Sequence, residues 1–432
     1  MDLSPDPAEL ENRNLPPASI RGKALKFPPG FFWGTATATT QIEGHINNEW
    51  TGFVARDGRT CHPACDSYHR YGEDIEWMGK LGVNAYRFGL EWSRLQAGPY
   101  LPLNETELAR YGDQLDRLNA AGIVPMVVLH HFSNPPWINA IGGWLNHATV
   151  HVFGDYVRRL AGALRNRVRF WNTFNEPDTY ALCGYLIGEF PPLRKGQLRS
   201  YRKVIRHMAE AHQQVCRIIR ETGSGLGEVE VGFSKNWTYF QPYRKQLPWD
   251  VMIARFLHSQ MNEFVLENFL GAPRHDASTF LGVNYYGRMR FRNFQPLVPT
   301  FGFSGQELEK LGVTCDDMLE RHPAGLEFAV EEMYQRFRLP IYLTEHGSAS
   351  SDESFREQDL RDNLAALHRA MSGGVDVRGF YYWSLLDNFE WQFGYAKKFG
   401  LIEVDFENER LPRKMKPLGR IYAAVCRANA ID

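Results

Sequence analysis

The sequence predicts an α/β protein built as a single (β/α)8 barrel, the TIM-barrel architecture. Three observations carry that prediction. Short β-rich runs recur eight times, longer amphipathic stretches lie between them, and no linker or shift in composition divides the repeat.

The first run, "FFWGTATAT" (31–39), is aromatic and β-branched, and "AYRFGLEW" (85–92) and "VPMVVLHHF" (124–132) follow in the same style. The fourth, "VRFWNTFNEP" (168–177), is stopped by Pro177, which cannot donate to a sheet ladder. "EVEVGFSKN" (228–236), "STFLGVNYY" (278–286), "PIYLTEHG" (340–347) and "GFYYWSLLDN" (379–388) complete the set. Among the intervening stretches, "TELARYGDQLDRLNAAG" puts Leu108, Leu115 and Leu118 on one helical face and ends at Gly122, a helix-stopping residue. "YRKVIRHMAEAHQQVCRIIRETG" and "FREQDLRDNLAALHRAMSGG" read the same way. The barrel is expected over 27–432. Residues 1–26, polar and proline-rich, are expected to form an extension that is mobile or draped over it. The segment 288–322 has no clear period and reads as a long loop after the sixth strand.

Composition narrows the function classes. The 432 residues carry a formal net charge of −1, which argues against nucleic acid or an anionic membrane as partner. No run approaches the length of a membrane span, and the N-terminus lacks the basic-then-apolar pattern of a signal peptide. Six cysteines, well separated except Cys61 and Cys65, form no disulfide framework in a chain of this length, so a reducing, cytoplasmic setting is expected. Aromatic residues make up 13%, a supply of flat faces that suits sugar rings as well as a core.

In a barrel of this kind, polar residues at the C-terminal ends of the strands line the active site. Those ends supply Gln41 and Glu43, Arg87 and Glu91, His130 and His131, Asn175 and Glu176, Asn284 and Tyr286, Glu345, and Asp387, Asn388 and Glu390 with Trp383 and Trp391. The ring mixes carboxylates, amides and indoles, without a glycine-rich phosphate loop or a cluster of cations. That chemistry fits a neutral carbohydrate. Glu176 and Glu345 each terminate an apolar strand, and two carboxyls across a barrel mouth are what glycoside hydrolysis needs. Arg87 and Tyr286 are placed to hold Glu345 ionised, while Glu176 is placed to keep its proton. Any one such glutamate, taken alone, could equally be a salt-bridge partner in a loop.

The blocks "FPPGFFWGTATATTQIEG", "YRFGLEWSRL", "WNTFNEP", "GVNYYG", "YLTEHGS" and "WSLLDNFEWQFGYAKKFGLIEVDF" resemble glycoside hydrolase family 1, the β-glucosidase family, in order from about residue 27 to the C-terminus. The resemblance implies a (β/α)8 barrel and retaining hydrolysis of small-molecule β-glycosides, with no cofactor and no metal. It implies Glu176 as acid/base and Glu345 as nucleophile. Gln41, His131, Asn175, Glu390 and Trp391 would hold the non-reducing sugar, with Trp383 as its platform. Arg87, Asn284 and Tyr286 would orient the nucleophile and the sugar 2-hydroxyl. An ionised Glu390 would also repel a phosphorylated sugar.

Three departures from the family pattern stand out. His346 follows the nucleophile position where asparagine is usual, and it could tune the nucleophile or merely fill space. Leu319 stands where a tryptophan usually meets the leaving group. The segments between "QIEG" and "DSYHRY" and between "NEP" and "NYY" look trimmed, which implies a shallower mouth. Elsewhere, "CHPACDSYH" places Cys61, His62, Cys65 and His69 close together, but the spacing matches no common zinc motif and a stabilising loop is expected. His130 and His131, adjacent on a strand, should face opposite sides, one toward sugar and one toward the barrel wall. "NET" at Asn104 and "NWT" at Asn236 are glycosylation sequons of little weight without a signal peptide. Two functional readings follow: an active retaining β-glycosidase, or a weakly catalytic sugar-binding or transglycosylating protein on the same scaffold. Retention of both glutamates favours the first.

Overall fold

A computed structural model describes residues 24–271, 278–316 and 318–432. Eight parallel strands close into a barrel: β1 (Phe32–Ala36), β2 (Ala85–Gly89), β3 (Val124–Val128), β4 (Phe170–Asn175), β5 (Glu230–Asn236), β6 (Leu281–Asn284), β7 (Ile341–His346) and β8 (Val377–Trp383). Seven fall within the expected runs, β8 starts two residues before its run at 379–388, and β8 returns to pair with β1.

The outer ring is helical: α1 (Ser67–Leu81), α2 (Glu105–Ala120), α3 (Ala148–Leu164), α4 (Leu198–Thr222), α5 (Phe264–Leu270), α6 (Pro323–Phe337), α7 (Glu353–Ser372) and α8 (Pro417–Ala428). Local chemistry sets their ends. Asn104, the sequon asparagine, caps α2 by accepting from the backbone N–H groups of Thr106 and Glu107. Gly122, at φ +72°, follows its last turn in the left-handed conformation expected there. Leu115 and Leu118 are buried and Leu108 packs against the same core.

The barrel interior is layered. Rings from strands on opposite sides meet near its N-terminal end: Phe32 lies 5.5 Å from Phe170, and Tyr342 lies 5.9 Å from Phe170 and 5.2 Å from Phe280. These rings form an aromatic floor. Above it sit Arg87, Asn172 and Ser234, all fully buried and joined by hydrogen bonds. On the mouth side the register slips between Asn172 and Asn175 against β5, between Leu343 and Glu345 against β6, and between Leu343 and His346 against β8. Such irregularities re-aim side chains next to active sites.

Of the expected N-terminal extension, residues 1–23 lie outside the described residues. Leu25 and Lys26 pair antiparallel with Ile431 and Ala430, so the folded frame starts two residues before the expected boundary. Asn429 knots this seam, accepting from the Trp33 indole and donating to the Phe27 carbonyl, both at 2.8 Å.

The segment expected as a long loop is structured. Arg288–Arg292 pairs with Tyr239–Pro242 and with Gln295–Pro296 in a small sheet, and Gly305–Lys310 is a helix with a capping box from Ser304. Buried Glu320 ties it together by accepting from Arg288 at 2.6 Å and from Arg290 at 2.8 Å. Leu297, Leu308 and Val313 form its own apolar cluster. Elements of two to six residues are too short to show a period, which is why the sequence reads as loop.

Candidate active site

The register slip at the end of β4 delivers Asn175 and Glu176 together into the mouth. Glu176 takes a left-handed backbone (φ +40°), donates its N–H to the Ser234 carbonyl at 2.8 Å, and precedes the Pro177–Ala181 helix. Its carboxyl accepts from Asn284 Nδ2 at 2.7 Å and from Asn236 Nδ2 at 3.2 Å. At the end of β7, Glu345 accepts from Arg87 Nη1 at 2.5 Å and from the Tyr286 hydroxyl at 2.7 Å. Burial holds the Tyr286 phenol well above its usual range, so it remains a donor.

The two carboxyls differ in proton affinity. Burial, then the negative charges of Glu345 and Asp178, push Glu176 up to about 8. Burial also raises Glu345, but Arg87, Tyr286 and Asn284 all pull it back down. Glu345 alone has a direct cation partner, so when the pair shares one proton, Glu176 carries it. One buried acid and one buried carboxylate therefore face a common space.

Amides bind the set into one network. Asn175 accepts from Arg87 at 2.6 Å and from Asn284 at 3.0 Å, and its own amide donates to His131 Nε2 at 2.8 Å. That contact places the His131 proton on Nδ1. Burial, reinforced by Arg87, keeps the ring neutral. On the far wall Gln41 Nε2 donates to Asn388 and Glu390, each at 3.0 Å, leaving its buried Oε1 without a protein partner. Trp391 lies 5.9 Å from His131 at 29° between ring planes, and Trp383 lies 5.8 Å from the same ring. The sugar-site expectations Gln41, His131, Asn175, Tyr286, Trp383, Glu390 and Trp391 thus fall with Arg87, Asn284 and the two glutamates into one mouth, all buried but the half-buried Tyr286.

Glu390 differs from expectation in charge. Burial pushes it up to about 8, with Glu345 and Glu176 adding to the rise and Gln41 and Trp383 opposing it. That rise weakens the repulsion of a phosphorylated sugar expected from an ionised Glu390.

Other strand-end residues are structural. Glu43 pairs with Arg94 at 3.0 Å, Glu91 accepts from Thr39 at 2.7 Å, and Asp387 pairs with Lys416 at 2.7 Å. His130 turns into the wall between Trp144, Phe174 and Tyr180, opposite in direction to His131. His346 also points away from the mouth: its Nδ1 donates to the Tyr285 carbonyl at 2.9 Å and its Nε2 lies 3.3 Å from Asp359 on α7. Alternation along β7 explains this, since Glu345 faces in. Leu319 sits in a turn, its backbone N–H donating to Asp316 at 2.8 Å. Asn236, at the mouth end of β5, is the contact that sequence reading passed over except as a sequon. Its position at a strand end was the available signal.

A barrel that brings two buried carboxyls of unequal proton affinity to one mouth, among amides and indoles, belongs to the class of glycoside hydrolases. The particular family follows from comparison. The model of "Glycosyl hydrolase family 1" matches residues 23–272 and 272–431, and the chain belongs to that family. Beta-glucosidase A of Thermotoga maritima is 31% identical over 454 aligned positions, covering 94% of this chain and 99% of the relative. Beta-glucosidase 42 of Arabidopsis thaliana is 31% identical and covers 92% of this chain. A family 1 β-glucosidase structure from Thermotoga maritima superposes with a TM-score of 0.84 at 28% identity, over 95% of this chain and 100% of that one. Further structures of that enzyme hold isofagomine lactam or deoxynojirimycin, with TM-scores of 0.82 and 0.81. The alignment with Beta-glucosidase A is longer than this 432-residue chain, so that relative carries segments absent here.

Proposed function

We propose that the chain is a retaining β-glucosidase that removes terminal non-reducing β-D-glucosyl residues from small-molecule glycosides. Glu345 attacks the anomeric carbon as the carbon–oxygen bond to the aglycone breaks, and Glu176 gives its proton to the departing oxygen. Glu176, now a carboxylate, takes a proton from water as that water attacks the same carbon. The bond to Glu345 breaks, and glucose leaves with its β configuration.

The observation that carries this reading is the split between the two carboxyls: Glu345 against Arg87 and Tyr286, Glu176 pushed up to about 8. On this reading Asn175 and Asn284 would meet the 2-hydroxyl, Gln41 and Glu390 would bind the other hydroxyls, and Trp383 and Trp391 would supply apolar faces. We further infer a cytoplasmic setting, supported by six free thiols, five of them buried.

Incubation with 4-nitrophenyl β-D-glucoside, followed by proton NMR, tests the function. Release of 4-nitrophenol with β-glucose appearing before mutarotation is expected. No release above buffer, or α-glucose first, would overturn it.

A further inference from the structure

The loop joining β1 to α1 brings His45 onto His62, Asp66 and His69, the last in the first turn of α1. Two backbone hydrogen bonds zip its ends together, Cys65 N–H to the Ile42 carbonyl at 3.0 Å and Tyr68 N–H to the Glu43 carbonyl at 3.3 Å. Gly44 makes the approach possible: a Cβ there would lie 2.1 Å from the Pro63 carbonyl oxygen, and its φ is +70°. His45, the next residue, is thereby held over the turn at 62–69. Its ring centroid lies 4.2 Å from that of His62 and 5.7 Å from that of His69.

The cysteines of this loop turn inward. Cys61 donates to the Trp50 carbonyl and Cys65 to the Asp387 carbonyl, and burial pushes the Cys61 thiol up to about 11. Neither is a ready thiolate. The imidazoles point out instead, with His45, His62 and His69 all exposed. Asp66 heads α1 in a left-handed conformation, yet its carboxylate caps no helical N–H group; it meets His69 Nδ1 at 2.6 Å.

We propose that His45, Asp66 and His69 form a surface site for one divalent transition-metal ion of the zinc type, independent of the reaction at the mouth. One ligand atom from each lies within 4.8 Å of the other two. Tetrahedral coordination with metal–nitrogen bonds of about 2.0–2.1 Å needs ligand atoms about 3.3 Å apart, which exposed imidazoles reach by small rotations. Two imidazoles and one carboxylate suit zinc, nickel or copper better than calcium or magnesium, and water completes the shell. His62, whose Nδ1 accepts from the His45 N–H at 3.2 Å, retains Nε2 as a neighbouring donor atom.

Calorimetric titration of tag-free, chelator-treated protein with zinc chloride tests the site. One saturable equivalent is expected, with affinity falling about tenfold or more in both His45→Ala and His69→Ala. His147→Ala, in a separate surface group with His151 and His207, should bind as the parent does. Zinc should also raise the Tm of the parent protein by about 2 °C or more, but not that of His45→Ala. His45 is exposed, so its truncation leaves the metal-free fold intact as a control. Absence of a saturable equivalent, or undiminished binding in both histidine variants, would overturn the proposal.

Discussion

Arg87 and Glu345 form an ion pair at 2.5 Å with side-chain exposures of 0% and 4%. Their strands, β2 and β7, are not neighbours in the barrel, so the pair spans its interior beneath the mouth. Removing one member strands the other charge in a desolvated site, a loss that typically costs about 3–5 kcal/mol. Arg87→Met is therefore expected to lower unfolding free energy by about that amount in urea titration. It should also reduce kcat/KM about 100-fold or more and move the acid limb of its pH profile upward, because Glu345 loses the charge that holds it ionised. An unchanged acid limb would contradict the role given to Arg87.

The two glutamates should separate by chemical rescue. Glu345→Ala should lose about 10⁴-fold or more in kcat, and azide should restore turnover of an activated β-glucoside by forming the α-glucosyl azide. Glu176→Ala under the same conditions should give the β-glucosyl azide, since its covalent intermediate still forms on Glu345. Product NMR reads the difference, and identical azides from both variants would reverse or dissolve the assignment.

Glu176 must carry its proton to act as an acid. Its upward shift means that this form persists through neutral pH and is lost as pH rises through about 8. The basic limb of kcat/KM for an alkyl glucoside should fall there. For 2,4-dinitrophenyl glucoside, whose leaving group needs no proton, the limb should flatten. Equal limbs for the two substrates would assign the ionisation to another group.

Beneath the mouth, Lys235 and Asp178 pair at 2.8 Å with both side chains at 0% exposure. Lys235→Met and Asp178→Asn should each destabilise by about 3–5 kcal/mol in urea, whereas the double variant should be less damaged than the sum. Simple additivity would show that the pair is not energetically coupled.

The trimmed segments, read from the sequence as lying at the mouth, bear on aglycone length. A lowered rim should let cellotetraose be cleaved with a kcat/KM at least equal to that for cellobiose. Strong preference for the disaccharide would refute the shallower mouth.

The barrel was legible because buried parallel strands read as apolar runs that end abruptly in polar residues. The same abruptness exposed Glu176 and Glu345. Charge states were not legible: Glu390 is as acidic as any glutamate on paper, and only its enclosure beside Glu345 and Glu176 raises it. The short elements of 288–322 lacked a period to detect. Of the His45, Asp66 and His69 group only His69 was noticed, because the motif that drew attention was centred on Cys61 and Cys65, whose thiols the fold turns inward.

The seam of Leu25–Lys26 with Ala430–Ile431 has a mechanical consequence. Leu25 lies opposite Ile431 and Lys26 opposite Ala430, so the strands leave the seam side by side on the same end. Tension applied through residues 24 and 432 would peel these pairs successively rather than shear them together. Load would thus be released at the seam, ahead of β1 in the chain, before it strained the strand ends that carry Glu176 and Glu345.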